Sequence, residues 1–134
     1  MIVLDASVVV ELLAGRPSAS AIRQYLAASD QSFIVPHLLD IEVLGALRGL
    51  VTAKAIAADR VTDLLDDLIL LPVLRYDHLP LTSRIWELRH NFTAYDAAYI
   101  ALAEATDSIL CTMDGKLAKG HRADVMLFSA GNPA

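Results

Sequence analysis

Short all-apolar runs that alternate with stretches of helical spacing predict an α/β fold: a mainly parallel sheet covered by helices on both faces, in a three-layer α/β/α sandwich. Composition points the same way. Alanine (21) and leucine (22) make up nearly a third of the 134 residues, and both are strong helix formers. Only 6 glycines and 5 prolines are present, too few for an all-β chain built on tight turns. With 55% apolar and 20% charged residues the chain can bury a sizeable core, which excludes disorder and sets the expectation of one domain over 1–134.

The elements follow in order. Ile2 to Leu4 is apolar throughout, as a strand buried on both faces should be, and ends on Asp5. Val8 to Leu13 has helical spacing at Val9, Leu12 and Leu13, with Gly15 as its stop and Pro17 beyond. A second helix runs from an N-cap at Ser18 or Ser20 to about Ala28, with Ile22, Tyr25 and Leu26 on one face. Phe33 to Val35 is the next strand, and after Pro36 a helix runs from about Leu38 to Leu50. Thr52 to Leu68 and Thr82 to His90 carry helical periodicity. Leu70 to Tyr76 between them reads as a strand that Pro72 pushes towards a sheet edge. Tyr95 to Thr106 is the clearest helix, and Ile109–Thr112 and Val125–Phe128 are the last strands.

Other classes are excluded. The single Cys111 can form neither an internal disulfide nor a thiolate zinc site, which fits a reducing cytoplasm. The start, Met1-Ile2-Val3-Leu4-Asp5, lacks the basic lead of a secretory signal. No apolar run approaches the roughly 20 residues of a membrane span; even Leu64 to Leu74 is interrupted by Asp66, Asp67 and Pro72. A cytoplasmic protein with no membrane partner is expected. The net charge of −5 denies the chain the bulk basicity that would advertise nucleic-acid binding.

In an open parallel sheet, ligands bind beyond the carboxyl ends of the strands where strand order reverses. Asp5 ends the first strand, and Asp114 follows the strand ending at Thr112 by two residues. Glu42 and Asp96 fall in the first or second turn of helices that begin near the same edge. Four acids thus converge if the first strand neighbours the one ending at Thr112. Their mutual repulsion calls for a cation, and an all-oxygen set suits Mg²⁺ or Mn²⁺. Two such ions about 4 Å apart activate a water and stabilise the leaving 3′-oxygen of a phosphodiester. Each acid also has a plain alternative. Asp5 caps the helix near Ser7; Asp96 completes the capping box Thr93-Ala94-Tyr95-Asp96; Asp114-Gly115 is a turn. Glu42, among Ile41, Val43 and Leu44, needs a partner or a metal if buried.

The segments Val3-Leu4-Asp5-Ala6-Ser7, Ile41-Glu42, Thr93-Ala94-Tyr95-Asp96-Ala97-Ala98-Tyr99-Ile100-Ala101-Leu102-Ala103 and Cys111-Thr112-Met113-Asp114-Gly115-Lys116-Leu117-Ala118 closely resemble PIN domains. Among these they are most similar to the VapC-type toxins of bacterial toxin–antitoxin pairs. The resemblance spans the chain. It implies a five-stranded parallel sheet of order 3-2-1-4-5, an acidic quartet of Asp5, Glu42, Asp96 and Asp114 that binds metal and catalyses, and supporting hydroxyls at Ser7 and Thr112. It further implies Mg²⁺- or Mn²⁺-dependent cleavage of RNA, a homodimer, and inhibition by a cognate VapB-type antitoxin that wraps the helical surface; the apolar helices before Leu70 offer it a groove.

The remaining charges divide. Asp40, two residues from Glu42, points roughly 200° away on a helix and cannot share its pocket. Glu11, Glu87, Glu104, Asp107 and the acids from Asp59 to Asp67 read as solvated faces. His37 belongs to a loop or cap, His90 and His121 to the surface, and Trp86 to core or interface. Lys116, Lys119 and Arg122, with His121 and no acid among them, form a basic stretch beside Asp114 where RNA phosphates could be neutralised; Arg84 and Arg89 are secondary candidates. A receiver-type phosphoacceptor would need an acidic pair near the first strand, and a haloacid-dehalogenase-type phosphatase a second aspartate where Ser7 stands. A PIN nuclease of RNA processing or decay without antitoxin, and a non-catalytic PIN-fold binding module, are the alternatives.

Overall fold

The computed structural model describes residues 1–129. Five parallel strands form one sheet: β1 (Ile2–Leu4), β2 (Phe33–Pro36), β3 (Val73–Tyr76), β4 (Ile109–Thr112) and β5 (Val125–Leu127). Their order is β3-β2-β1-β4-β5, with β3 and β5 at the edges. β1 is buried at every position, as its unbroken apolar run requires. Its registers, Ile2 with Phe33 and Leu4 with Cys111, place the carboxyl ends of β1 and β4 side by side. This is the point at which the strand order reverses.

The helices are α1 (Ala6–Leu13), α2 (Ala19–Ala27), α3 (Leu39–Thr52), α4 (Val61–Ile69), α5 (Thr82–Glu87) and α6 (Ala94–Ala105). α1 packs on α2, α3 and α4, while α6 packs on α5 and lies against β1, β2 and β4. Ala97 to Ala103 of α6 are buried without exception, so this helix is apolar nearly all round because it is covered nearly all round. The expected α/β/α sandwich on a five-stranded parallel sheet is therefore the observed fold.

Several expectations change in detail. The helix expected over Thr52–Leu68 is two pieces: α3 runs on to Thr52, and α4 begins at Val61 after a 3₁₀ turn, Ala58–Arg60. Lys54 takes a positive φ of 58°, and the amides of Ala55 and Ile56 both turn back to the Leu50 carbonyl. A lysine here performs the left-handed helix stop usually given to glycine, and the buried Ile56 anchors the reversal. The helix expected to His90 ends at Glu87, in a turn where the amides of Asn91 and Phe92 return to the Leu88 carbonyl.

Ser18 stands at the N-cap of α2, yet its side chain makes no cap bond and donates instead to the Ser129 carbonyl at 3.0 Å. Glu11 is not a solvated face; its carboxylate accepts the Ser18 N–H at 2.9 Å. Trp86 is 66% exposed and carries the Arg89 guanidinium 4.3 Å from its ring centre, so it belongs to no core. His121 is half-buried against Phe92, bonded to the Leu117 carbonyl at 2.7 Å and accepting from the Ala123 N–H at 3.1 Å.

Candidate active site

Asp5 leaves β1 directly into α1 and is 6% exposed. Its Oδ1 caps α1 by accepting the Val8 N–H at 3.1 Å and also accepts the Ser7 hydroxyl at 2.6 Å. The Thr112 hydroxyl, at the end of β4, donates to Oδ2 at 2.5 Å. Each hydroxyl in turn accepts a backbone N–H from the next segment: Ser7 from Met113 at 3.0 Å, Thr112 from Asp114 at 2.9 Å. These backbone donors leave the hydroxyl protons to Asp5. One carboxylate thus joins β1, α1 and the loop after β4, and both helix cap and site are built from it.

The other three acids come from three further segments. Asp114 caps the short 3₁₀ turn Gly115–Leu117 by accepting the Lys116 N–H at 2.9 Å. In the first turn of α6 the capping is done by the Thr93 hydroxyl, which accepts the Asp96 N–H at 3.2 Å. Glu42 lies in the first turn of α3, and its Oε1 is buried with no hydrogen-bond partner among the described residues. The Tyr99 hydroxyl, one turn along α6 from Asp96, is in the same condition. Tyr99 was absent from the sequence candidates; its position three residues after Asp96, on the same helical face, is the signal that could have found it.

Burial and mutual repulsion act on the set. Burial pushes the Asp5 carboxyl above the ordinary aspartate range, against the three hydrogen bonds it accepts, and the charge of Asp96 adds to the rise. Burial raises Glu42 as well, with Asp96 and Asp5 pushing the same way. Asp96 is raised by burial and then by Asp114. Asp96 is the centre of the set, since it is coupled to each of the other three. Among the described residues no three His, Cys, Asp or Glu side chains are close enough to form a metal site as they lie, so the quartet is an electrostatic unit and not a closed coordination sphere. The donors nevertheless fit a hard divalent cation. They are all oxygens, they repel one another, and one buried carboxylate oxygen is unsatisfied.

The basic candidates fall into two groups. Lys116, Lys119 and Arg122 are exposed in the loop after Asp114, with Lys116 Nζ 3.9 Å from Asp114 Oδ2. Arg84 is engaged elsewhere: it grips Glu104 with two hydrogen bonds, at 2.7 and 3.0 Å. Glu104 also accepts the Arg122 N–H at 2.8 Å, so it is a half-buried junction and not a solvated face. Asp40 pairs with Arg75 at 2.8 Å, apart from Glu42. His37 is an exposed loop residue after β2.

A parallel sheet of this order with acids gathered where β1 and β4 end defines a class, the PIN domain, and the PIN-domain family model matches residues 2–122. The chain is 46% identical to Ribonuclease VapC1 of Mycobacterium tuberculosis over 118 residues, 87% of each protein. It is 38% identical to Ribonuclease VapC12 of the same species over 129 residues, 95% of this chain and 98% of the relative. Among solved structures, a toxin–antitoxin complex from Klebsiella pneumoniae superposes with a TM-score of 0.68 at 20% identity, covering 96% of this chain and 99% of the other. The chain belongs to the PIN-domain family and, within it, to the VapC ribonucleases.

Proposed function

We propose that this chain is a divalent-metal-dependent endoribonuclease, the toxin of a VapBC-type pair, and that Asp5, Glu42, Asp96 and Asp114 are its catalytic and metal-binding residues. The observation that carries the reading is the convergence of four carboxylates from four segments at the β1–β4 switch point, one with an unsatisfied buried oxygen. When bound, Mg²⁺ or Mn²⁺ supplies an activated water and charge stabilisation for the departing 3′-oxygen. The chain's own residues do the rest. Ser7 and Thr112 hold Asp5 in one orientation, so that it need not reorganise as charge develops. The phosphates of an incoming strand are assigned to Lys116, Lys119 and Arg122, exposed in the loop after Asp114, and secondarily to the exposed Arg89.

The partners follow from the same reading. Leu12, Leu13, Leu26, Phe33, Leu70 and Leu71 line an open apolar groove between α1, α2 and the end of α4, flanked by Arg23 and Asp67. Leu70 is 78% exposed there. An amphipathic antitoxin segment is the occupant we assign to it. For the dimer, the contact we assign involves the exposed side chains Ile41 and Tyr95, at 70% and 61% exposure, which neighbour Glu42 and Asp96 in sequence. A cytoplasmic location is part of the proposal; no helix among the described residues is long and apolar enough to cross a membrane, and Cys111 is an unpaired buried thiol.

The test compares purified wild type and Asp96→Asn on total RNA with Mn²⁺ and with excess EDTA. Wild-type cleavage that both the substitution and the chelator abolish is expected. Full activity of the variant at saturating Mn²⁺, or wild-type activity in EDTA, overturns the assignment. Tagged Asp96→Asn expressed from its native locus should retain a small antitoxin through purification, and mapping its wild-type counterpart's cleavage ends identifies the target RNA.

A further inference from the structure

We propose that Tyr99 is a positioning residue for Glu42: its hydroxyl donates to the buried oxygen of the Glu42 carboxylate and so fixes which oxygen the glutamate presents to the cation. The inference rests on the nuclease reading above. Tyr99 is 1% exposed and among the largest fully buried side chains of the molecule, an unusual depth for a phenol. Buried hydroxyls almost always have a partner. Only two buried side-chain polar atoms among the described residues have none, and they are Tyr99 Oη and Glu42 Oε1, a donor and an acceptor. Each acts on the other as a hydrogen-bonding neighbour, the Tyr99 hydroxyl lowering the Glu42 carboxyl and Glu42 raising the Tyr99 phenol, although the geometry of a closed bond is not met.

A buried donor beside a buried acceptor, each without another partner, is a bond left to be closed. A cation drawing the other Glu42 oxygen towards Asp5 and Asp96 would turn the carboxylate and complete it. Tyr99 then contributes nothing to the fold that a phenylalanine would not, and everything it adds is read out through metal binding. Groups that orient a metal ligand from behind typically contribute 10- to 100-fold in affinity.

The experiment is Tyr99→Phe, which removes one oxygen and leaves the ring. Mn²⁺ alone is titrated calorimetrically into the metal-free protein, and melting is followed in EDTA. The expected result is Mn²⁺ affinity at least about tenfold weaker, an unchanged or slightly higher melting temperature in EDTA, and cleavage that returns towards the wild-type kcat as Mn²⁺ is raised. In a Glu42→Gln background the same substitution should produce no further loss. Affinity within twofold of wild type overturns the proposal, as does a large drop in metal-free melting temperature, which would make the hydroxyl a structural bond. A loss that persists in the Glu42→Gln background overturns it too, because Tyr99 would then act through another ligand. Wild-type protein that binds no Mn²⁺ defeats the nuclease reading itself.

Discussion

Asp5 and Asp96 look interchangeable as the ligands proposed above, yet the fold uses them differently, and their asparagine variants separate the two uses. Both remove a charge from a set in which Asp5, Glu42 and Asp96 hold their protons above the ordinary carboxylate range. Such groups bind more protons folded than unfolded. Their favourable contribution is therefore complete below the unfolded value of about 4 and is lost as pH rises through the folded values. Asp96→Asn relieves part of that loss, and the metal-free variant is expected to melt a few degrees above wild type at pH 7 and level with it near pH 4. Asp5→Asn gains the same relief but turns one carboxylate oxygen into an N–H donor facing the Thr112 hydroxyl. An unsatisfied buried partner costs about 1–3 kcal/mol, so this variant should melt below wild type. Melting curves in EDTA at the two pH values decide it; an order in which Asp5→Asn is the more stable at pH 7 counts against the Thr112–Asp5 bond as a structural tie. The positions of these acids were legible in the sequence because each follows a strand or opens a helix. What Asp5 does for the fold was half legible, as a cap. The Ser7 and Thr112 bonds join residues up to 107 apart in sequence, so only the resemblance to a family pointed to them.

At the scale of elements, apolar periodicity located the strands and helices to within a few residues, because burial and spacing coincide in a sheet covered on both faces. It failed where the chain stops a helix without glycine or proline, at Lys54, and where an acid finds its partner across the fold. Glu104 is the clearest instance: burial pushes its carboxyl up, but the bonds from Arg84 and from the Arg122 N–H prevail and hold it below the usual glutamate range. This junction ties α5, α6 and the basic loop together. Arg84→Met leaves a carboxylate only 9% exposed without its cation and should cost about 2 kcal/mol. The sign with pH is opposite to that of the site acids. The pair's contribution is complete above the ordinary glutamate value of about 4.3 and is lost as pH falls through the lower folded value. Urea midpoints of wild type and variant should therefore differ at pH 7 and converge as pH falls below the lowered folded value; a gap that persists in acid would mean that the arginine acts by packing.

Over the whole molecule, setting aside the four site acids from a net charge of −5 leaves twelve acids and eleven bases, a body close to neutral. Affinity for RNA must then be local. Replacing Lys116 and Lys119 together by alanine should raise KM severalfold and flatten its dependence on salt while leaving kcat within about twofold, since on the proposed path these side chains meet phosphates and not the reacting atoms. An unchanged KM would place the RNA path elsewhere on the surface. The double duty of Asp5 has a consequence for populations of cells. Under the proposed assignment, a culture under selection to escape the toxin can disarm it at any of the four acids, but the survivors should differ. Lesions at Asp96 should leave a folded inert protein that still binds the proposed antitoxin and so exposes any intact copy, whereas lesions at Asp5 should yield a less stable chain more open to proteases. Lineages that must keep their antitoxin free should accumulate the second kind.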